Sequence, residues 1–160
     1  MSQLEEAKSA LEGILLRMGF GGTVAATEDD ERITLEISGV EAGIAVGRQG
    51  TTLDALQFVV NKMVSRGGEP GAGDNKPIAV DTEGYRARRA ESLQELALQL
   101  AEKARTTGKP QPVHPMSAGD RRVMHLALAE VKGVTTRSEG EGADRRLIVI
   151  PDVTPSGSQG

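Results

Sequence analysis

A loop in which Gly47 and Gly50 enclose Arg48 and Gln49 is the pattern in this sequence that best fits a ligand. Glycines allow the backbone to approach a polyanion closely, and the arginine between them adds positive charge. Thr51 follows directly, at the expected start of a helix whose free N–H groups and positive dipole end would face the same way. The loop is therefore predicted to bind a phosphate backbone, and the alternative interpretation is a tight turn between two helices.

Gly-x-x-Gly spacing alone carries little information, because it arises easily in a chain with 20 glycines. The residues before and after this loop distinguish it. A short apolar turn precedes the loop. Apolar residues at helical intervals after it predict a helix from about Thr52 to Ser65, capped by Thr51 or Thr52. Beside the loop we expect an apolar groove that serves both packing and base contact. The residues assigned to this groove are Ile44, Val46, Leu53 and Leu56 together with Ile37.

The composition limits the chemistry that such a site can use. With no Trp, one Tyr and two Phe, the chain lacks the side chains for a base-stacking surface, so binding must rely on backbone amides, arginines and aliphatic groove walls. The absence of Cys excludes disulfides and thiolate chemistry, and 160 residues can form one good domain or two small ones. No signal peptide and no apolar run of about 20 residues is recognisable, which predicts a cytoplasmic protein without membrane insertion.

Charge is distributed unevenly along the chain, whose net charge is −4. The first 46 positions carry nine acidic and three basic residues, whereas arginines cluster at Arg86, Arg88 and Arg89 and again at Arg121 and Arg122. Local basic patches are therefore compatible with an acidic protein. A solvated helix face is the alternative interpretation of the cluster at 86–89.

Hydrophobic periodicity in the first half of the chain predicts helices around a small sheet. The predicted elements are a helix at residues 2–18, strands at 23–27 and 32–38 joined by an acidic turn, the helix at 52–65 and a strand at 77–81. Residues 67–76 are rich in Gly and are expected to form a flexible surface loop.

The second half of the chain is predicted to contain two helices and a hairpin. The predicted elements are a helix at 82–107, a short strand within 110–116, a helix at 118–131, a hairpin of strands 134–139 and 145–150, and a disordered tail at 151–160. Ser117 and Asp120 form a capping-box start for the helix at 118–131. On this helix Arg121 and His125 are four residues apart and therefore neighbours, with Arg122 nearby. Such a pair by itself is weak evidence for a site.

The order of elements and the two motifs resemble known nucleic-acid-binding domains. Over residues 1–82, the element order resembles that of the type II KH domain: helix, strand, strand, helix, Gly-x-x-Gly loop, helix, strand. The loop stands where that family clamps a nucleic-acid backbone. The Arg-x-x-x-His helix, with residues 115–117 before it and 133–140 after it, resembles the R-three-H domain, which binds single-stranded nucleic acid. A KH domain followed directly by this module resembles the Jag family, the SpoIIIJ-associated proteins of the KhpB/EloR type.

This resemblance implies an α+β protein with a type II KH domain (α-β-β-α-α-β) at residues 1–82 and a small α/β R-three-H domain at 83–150. The second domain would have a long connecting helix and a short mixed or antiparallel sheet. The implied role is a post-transcriptional regulator or RNA chaperone linked to cell elongation or division. Single-stranded RNA, or alternatively single-stranded DNA, is the implied ligand, and a small single-KH protein is the implied partner. No enzyme activity, cofactor or metal is expected. The residues expected to contact nucleic acid are Ile44, Gly47, Arg48, Gln49, Gly50, Thr51, Arg86, Arg89, Arg121, Arg122 and His125.

Two departures from the family pattern limit what the resemblance implies. Many members carry an additional N-terminal domain, and its roles are not transferred to this chain. Arg48 and Gln49 stand where the family often has two basic residues, which predicts weaker phosphate binding.

Two other classes of function compete with RNA binding. A metal-dependent nuclease needs clustered carboxylates or histidines, yet His114 and His125 are the only imidazoles and the acidic residues occupy mainly turns and helix faces. A protein-interaction adaptor would bind a partner through the groove or the acidic first helix, and its RNA binding would be weak or incidental.

Overall fold

The chain forms two compact units in the computed structural model, Met1–Arg86 and Ala87–Gly160, called here the first and the second unit. The structure describes residues 1–39, 41–65 and 73–152. Most of the loop predicted at 67–76, and the predicted tail from residue 153 onward, lie outside the described residues. Each unit combines helices with a small sheet, which confirms the predicted α+β class.

The first unit follows the predicted order of elements. It contains α1 (Gln3–Arg17), β1 (Thr23–Glu28), β2 (Ile33–Ser38), α2 (Ala42–Val46), a 3₁₀ turn (Arg48–Gly50), α3 (Thr51–Val64) and β3 (Ile78–Thr82). β1 pairs antiparallel with β2, and β2 pairs parallel with β3, so β2 is the central strand of a mixed three-stranded sheet. The α-β-β-α-α-β arrangement predicted for this part of the chain is therefore confirmed.

The core of the first unit lies between the sheet and the helices α1 and α3. A reciprocal capping box of Ser2 and Glu5 starts α1. Alternate residues of β2 are buried against the helices, and α1 and α3 contribute apolar side chains at helical spacing. The main core residues are Ala7, Leu11, Leu15, Ile33, Leu35, Ile37, Leu53, Leu56, Val60, Val64, Ile78 and Val80. Met63, another apolar residue of α3, is exposed.

The predicted threonine cap of α3 is wrong. Gly50 is the N-cap, in a left-handed conformation, and Thr51 is already the first helical residue. The hydroxyl of Thr51 donates a hydrogen bond to the carbonyl oxygen of Arg48 (2.8 Å) instead. Because Gln49 and Gly50 both have positive φ, the chain enters the helix without the extended residue that a threonine cap needs.

The second unit carries an antiparallel sheet beside two helices. Its elements are α4 (Tyr85–Thr107), which begins at the end of the first unit, β4 (Gln111–Pro112), α5 (Ala118–Ala129), β5 (Val134–Glu139), a 3₁₀ turn (Gly142–Asp144) and β6 (Arg146–Pro151). The strand order is β4-β6-β5, and both pairings are antiparallel. Its main core residues are Leu93, Ala97, Ala101, Ala104, Met124, Leu128, Val134, Leu147 and Val149.

One predicted boundary in the second unit is wrong. Pro151 was placed in the tail, but it ends β6, is buried and pairs with Val134. A proline is tolerated there because the terminal residue of a strand can do without an N–H donor. The short strand predicted within 110–116 is present as Gln111–Pro112, and it stays short because prolines recur through this segment and lack the donors that a longer ladder needs.

Candidate nucleic-acid interface

The backbone of the loop after α2 has positive φ angles that favour glycine. Gly47 has a φ of 71° and Gly50 a φ of 81°. A Cβ atom on Gly47 would lie 2.2 Å from Oγ1 of Thr52, and one on Gly50 would lie 2.9 Å from Cε1 of Tyr85. The two glycines are therefore required by the geometry of the loop, whatever the loop binds.

The side chains between the two glycines are exposed. Arg48 and Gln49 both reach solvent, and Gln49 adopts a left-handed backbone conformation that is uncommon outside glycine. Thr51, the next predicted contact, is exposed as well. The loop and the first residue of α3 thus present a cation and two polar side chains at the positive end of the dipole of a 14-residue helix.

The predicted apolar groove divides into buried and exposed members. Leu53, Leu56 and Ile37 belong to the core of the first unit. Ile44 on α2 is 57% exposed, and Val46 is half-buried. Of the predicted groove residues, Ile44 and Val46 are therefore the ones that can contact a ligand.

Arg86 is bonded within the first unit. Its Nε donates to the carbonyl oxygen of Val80 (2.9 Å), Nη1 to Oδ1 of Asp54 (2.7 Å) and Nη2 to Oε1 of Gln57 (3.2 Å). Asp54 lies in the first turn of α3, where its negative charge would oppose a phosphate at the loop, and the ion pair with Arg86 compensates that charge. Arg86 thus connects α3 to β3 and offsets the negative charge of Asp54 next to the loop.

A polar stripe on α3 was not predicted from the sequence. Asn61 donates to the carbonyl oxygen of Ile78 (2.7 Å) and accepts from the N–H of the same residue (3.0 Å), while Gln57 accepts from the N–H of Val80 (3.0 Å). Together with Asp54, these side chains recur at helical spacing next to the apolar stripe. The helical spacing of these polar residues is the feature of the sequence from which the stripe could have been predicted. The stripe holds α3, and the loop before it, against the edge strand β3.

Arg121 is bonded within the second unit. Its Nη1 donates to the carbonyl oxygen of Met116 (2.6 Å) and lies 3.5 Å from the carbonyl oxygen of Arg145. The guanidinium therefore connects the start of α5 to the segment before it and to the residue before β6. Arg122, the next residue on α5, is exposed.

His125 connects α5 to β5. Its Nδ1 is hydrogen-bonded to the hydroxyl of Thr136, and its Nε2 lies 3.5 Å from the hydroxyl of Ser138. Both hydroxyl-bearing residues are on the side of β5 that faces α5. The two ring nitrogens of this half-buried side chain thus face groups of the same unit.

Arg89 is bonded to the start of α5. Its Nε and Nη2 donate to Oδ2 of Asp120 (3.3 and 3.1 Å), and both side chains are largely buried. Ser117 is the N-cap of α5, as predicted, and its hydroxyl oxygen accepts from the N–H of Asp120 (3.2 Å). The carboxylate of Asp120, which the sequence assigned to the capping box, thus binds Arg89.

Neither a metal-binding cluster nor a membrane-spanning helix is found among the residues that the structure describes. Among residues 1–39, 41–65 and 73–152, no three or more His, Asp or Glu side chains form a group that could hold a metal ion. Over the same part of the chain, no helix has the length and apolar character that crossing a bilayer requires.

Comparison with known proteins gives matches to two domain families and to named relatives. One family model, for the KhpA/KhpB KH domain, matches residues 10–71, and another, for the R-three-H domain, matches residues 91–151. The proteins named RNA-binding protein KhpB from Clostridium symbiosum and from Bacillus subtilis (strain 168) are 34% and 30% identical to the chain, over 134 and 148 residues.

These alignments cover 84% and 91% of the chain, and 59% and 69% of the two relatives. The chain therefore spans less than two thirds of the length of the first of them. Both the resemblance to a KH domain and the resemblance to an R-three-H domain are confirmed by the domain matches. The chain belongs to the KhpB family and contains its KH domain and R-three-H domain in that order.

Proposed function

We propose that this protein binds single-stranded RNA and that the loop from Gly47 to Gly50 is its main contact with the sugar-phosphate backbone. The observation that carries the proposal is the exposure of Arg48 and Gln49 on a backbone that the two glycines hold at the N-terminus of α3. The names of the two relatives, each an RNA-binding protein, support the same class of ligand.

Each part of the site would contribute a different interaction. Arg48 would pair with a phosphate, and the N–H groups at the start of α3 would attract the same group. Ile44 would contact a base through its exposed apolar side chain. Gln49 and Thr51 would offer hydrogen bonds to sugar or base edges. RNA binding of this kind requires no catalytic group, cofactor or metal.

In the second unit we assign the phosphate contact to Arg122, whose side chain is exposed. Arg86, Arg89, Arg121 and His125 were predicted as contacts as well, and each of them forms hydrogen bonds within its own unit. We propose that these four residues act by positioning the loop and α5.

The wider role proposed here is post-transcriptional regulation or RNA chaperoning in the cytoplasm, connected to cell elongation or division. It rests on the resemblance to the Jag family and goes beyond RNA binding itself. Absence of RNA binding by the parent chain in the assay described next would remove its basis.

Replacing both Arg48 and Gln49 with aspartate tests the loop directly, because two carboxylates would then face the phosphate. Filter binding of a single-stranded RNA at two salt concentrations should show an affinity reduced by roughly tenfold or more. The matched control is Gln99→Asp with Lys103→Asp, which makes the same change in charge on exposed positions of α4. Equal losses in the two variants, or a folded loop variant that binds like the parent, would contradict the proposed site.

An exposed apolar face on α3 favours a second candidate function, the binding of a protein partner. Phe58, Val59 and Met63 are exposed along this helix, and Nζ of Lys62 lies 5.7 Å from the centre of the Phe58 ring. The resemblance to the Jag family makes a small single-KH protein the partner to test. Val59→Lys should abolish co-elution of the two proteins and leave RNA affinity unchanged. Unaltered co-elution would remove this face of α3 from the interface.

A further inference from the structure

The two edge strands of the sheet in the first unit differ in how their outward main-chain groups are bound. On β3, Asn61 holds both the N–H and the carbonyl of Ile78, and Gln57 accepts from the N–H of Val80. Nε of Arg86 donates to the carbonyl oxygen of Val80. Another strand therefore cannot add to β3 without displacing these side chains.

β1 forms the opposite edge, and its hydrogen-bonding groups alternate between β2 and the outer side, where no other strand pairs with it among residues 1–39, 41–65 and 73–152. The N–H of Asp29 donates to the carbonyl oxygen of Arg32 (3.0 Å) and closes the hairpin with a hydrogen-bonded pair. In an antiparallel ladder such pairs recur at every second residue, so the main-chain groups of Val24 and Ala26 point away from β2. They form a row of donors and acceptors to which an extended chain can add.

A groove of about 410 Å³ lies between this edge and α1. Leu15, Phe20 and Val24 give it a buried apolar floor, and Leu16, also part of its lining, is 76% exposed. Successive side chains of a strand point to opposite sides of the sheet, so every second residue of an added strand would enter this groove. Apolar side chains suit those positions.

The other side of the sheet is polar at this edge. There Ala25 of β1 pairs with Glu36 of β2, and the small alanine side chain leaves the glutamate accessible to a neighbouring strand. The turn that follows β1 carries Asp29, Asp30 and Glu31. Basic side chains would therefore be complementary in charge at the remaining positions of an added strand.

We infer that the β1 edge and the α1 groove form a docking site for an extended segment of a partner protein in which apolar and basic residues alternate. The segment adds to the sheet as a further strand, with main-chain hydrogen bonds to Val24 and Ala26. Its apolar side chains contact Leu15 and Leu16, and its basic side chains lie near Glu36. The site uses none of the proposed RNA contacts and does not depend on RNA binding.

A synthetic peptide of alternating valine and lysine, blocked at both ends, is the probe, and the full chain is the receptor. Fluorescence anisotropy should show binding that weakens roughly tenfold in Leu16→Lys and in Ala26→Pro, because one loses an apolar contact and the other a main-chain donor. Ala26→Pro removes no hydrogen bond of the β1–β2 ladder, since that N–H faces the free edge. Leu98→Lys is the matched control: Leu98 is an exposed leucine of α4, and this variant should bind like the parent.

Two further peptides complete the test. A valine–glutamate peptide should bind much more weakly to the parent, and a valine–lysine peptide with N-methylated amides should lose affinity as Ala26→Pro does. The methylated peptide supplies the same information if the proline variant does not fold. Equal binding of the glutamate peptide, or parental affinity in Leu16→Lys and for the methylated peptide, would overturn the site. If the parent forms a dimer and Leu16→Lys does not, the site binds a second copy of the chain, and the proposed partner segment is wrong.

Discussion

The two motifs that predicted nucleic-acid contacts differ in where their side chains lie in the folded chain. In the first unit, Arg48 and Gln49 are exposed on a loop. In the second unit, Arg121 is bonded to main-chain carbonyl groups and His125 to hydroxyl groups of β5. A motif therefore does not show by itself whether its side chains contact a ligand or stabilise the fold. Which of the two they do depends on how the element that carries the motif packs.

The physical reason lies in the packing of α5. This helix lies against β5, so side chains on that face reach the strand, and an arginine in the first turn meets the carbonyl groups that precede the helix. Arg122 is rotated from Arg121 by about 100° around the helix axis and is exposed. Within the part of the chain that the structure describes, the side chain of Arg48 forms no such bond. This contrast can be tested in each unit separately.

Gly47→Ala should affect both stability and RNA binding, because it changes the backbone of the loop itself. The new Cβ would lie 2.2 Å from Oγ1 of Thr52, and a φ of 71° disfavours a side chain. We expect the free energy of unfolding to fall by about 1–3 kcal/mol and RNA affinity to fall roughly tenfold or more. Urea unfolding followed by circular dichroism, with RNA titration of the folded variant, measures both quantities.

Gly43→Ala is the control for this substitution. A Cβ at Gly43 would meet no atom within 4 Å, and alanine is a better helix former than glycine within α2. Stability should therefore stay equal or rise slightly, and RNA affinity should not change. Equal effects at Gly43 and Gly47 would show that the loop has no special backbone requirement.

Arg121→Ala and Arg122→Ala should separate positioning from binding in the second unit. Arg121→Ala removes the donor to the Met116 carbonyl and should lower the free energy of unfolding by about 1–3 kcal/mol. Arg122→Ala should change stability by less than about 0.5 kcal/mol and should reduce the slope of log affinity against log salt by about one unit. Urea unfolding and RNA titration over a salt series give both results. If Arg121→Ala kept the parent's stability and reduced the salt slope, Arg121 would belong to the RNA interface and the two motifs would be alike.

Ile44→Asp should reduce RNA affinity while the fold persists. Its carboxylate would remain in water because Ile44 is exposed, and we expect a loss of roughly tenfold from the missing base contact and the added negative charge. Leu53→Asp, at a fully buried position of the same predicted groove, should unfold the unit instead. Circular dichroism and RNA titration distinguish the two outcomes. Unchanged RNA binding in folded Ile44→Asp would remove α2 from the interface.

The order of elements was predictable from the sequence because periods of 3.6 and 2 in apolar residues show which side of an element is buried. The alternation of Ile33, Leu35 and Ile37 is an example, since all three lie in the core. The same periodicity cannot separate Ile44 from Leu53, because both are apolar and only the packing of α2 and α3 exposes one of them.

The partners of the charged residues could not be predicted, because they depend on which distant segments the fold brings together. Arg86 is bonded to Asp54, which lies 32 positions earlier in the chain. His125 is bonded to Thr136 across the contact between α5 and β5. Helical spacing indicates neighbours along one helix, and it carries no information about neighbours on other elements.

Asp29→Asn should have the smallest effect, and it concerns the first unit alone. Oδ1 of Asp29 accepts from the N–H of Arg32 (2.9 Å) and from the N–H of Glu31 (2.8 Å). These backbone hydrogen bonds hold the pKa of the Asp29 carboxyl below its ordinary value, and the bond from Arg32 has the larger effect. A carboxyl whose pKa is lowered by folding stabilises the fold above its unfolded pKa, and this contribution is lost as the pH falls through the folded pKa.

Asparagine keeps an acceptor oxygen at position 29 but does not titrate. The parent should therefore melt slightly above Asp29→Asn near neutral pH, and the difference should vanish in acid. Calorimetry across pH measures this difference, with Asp30→Asn as the control for the loss of one charge in the same turn. Amide exchange at Glu31 and Arg32 should change with the substitution, whereas the amides of α5 should not. A difference in melting temperature that persists in acid would show that the charge of Asp29 does not stabilise the hairpin, and a change at α5 would show that the two units do not respond separately.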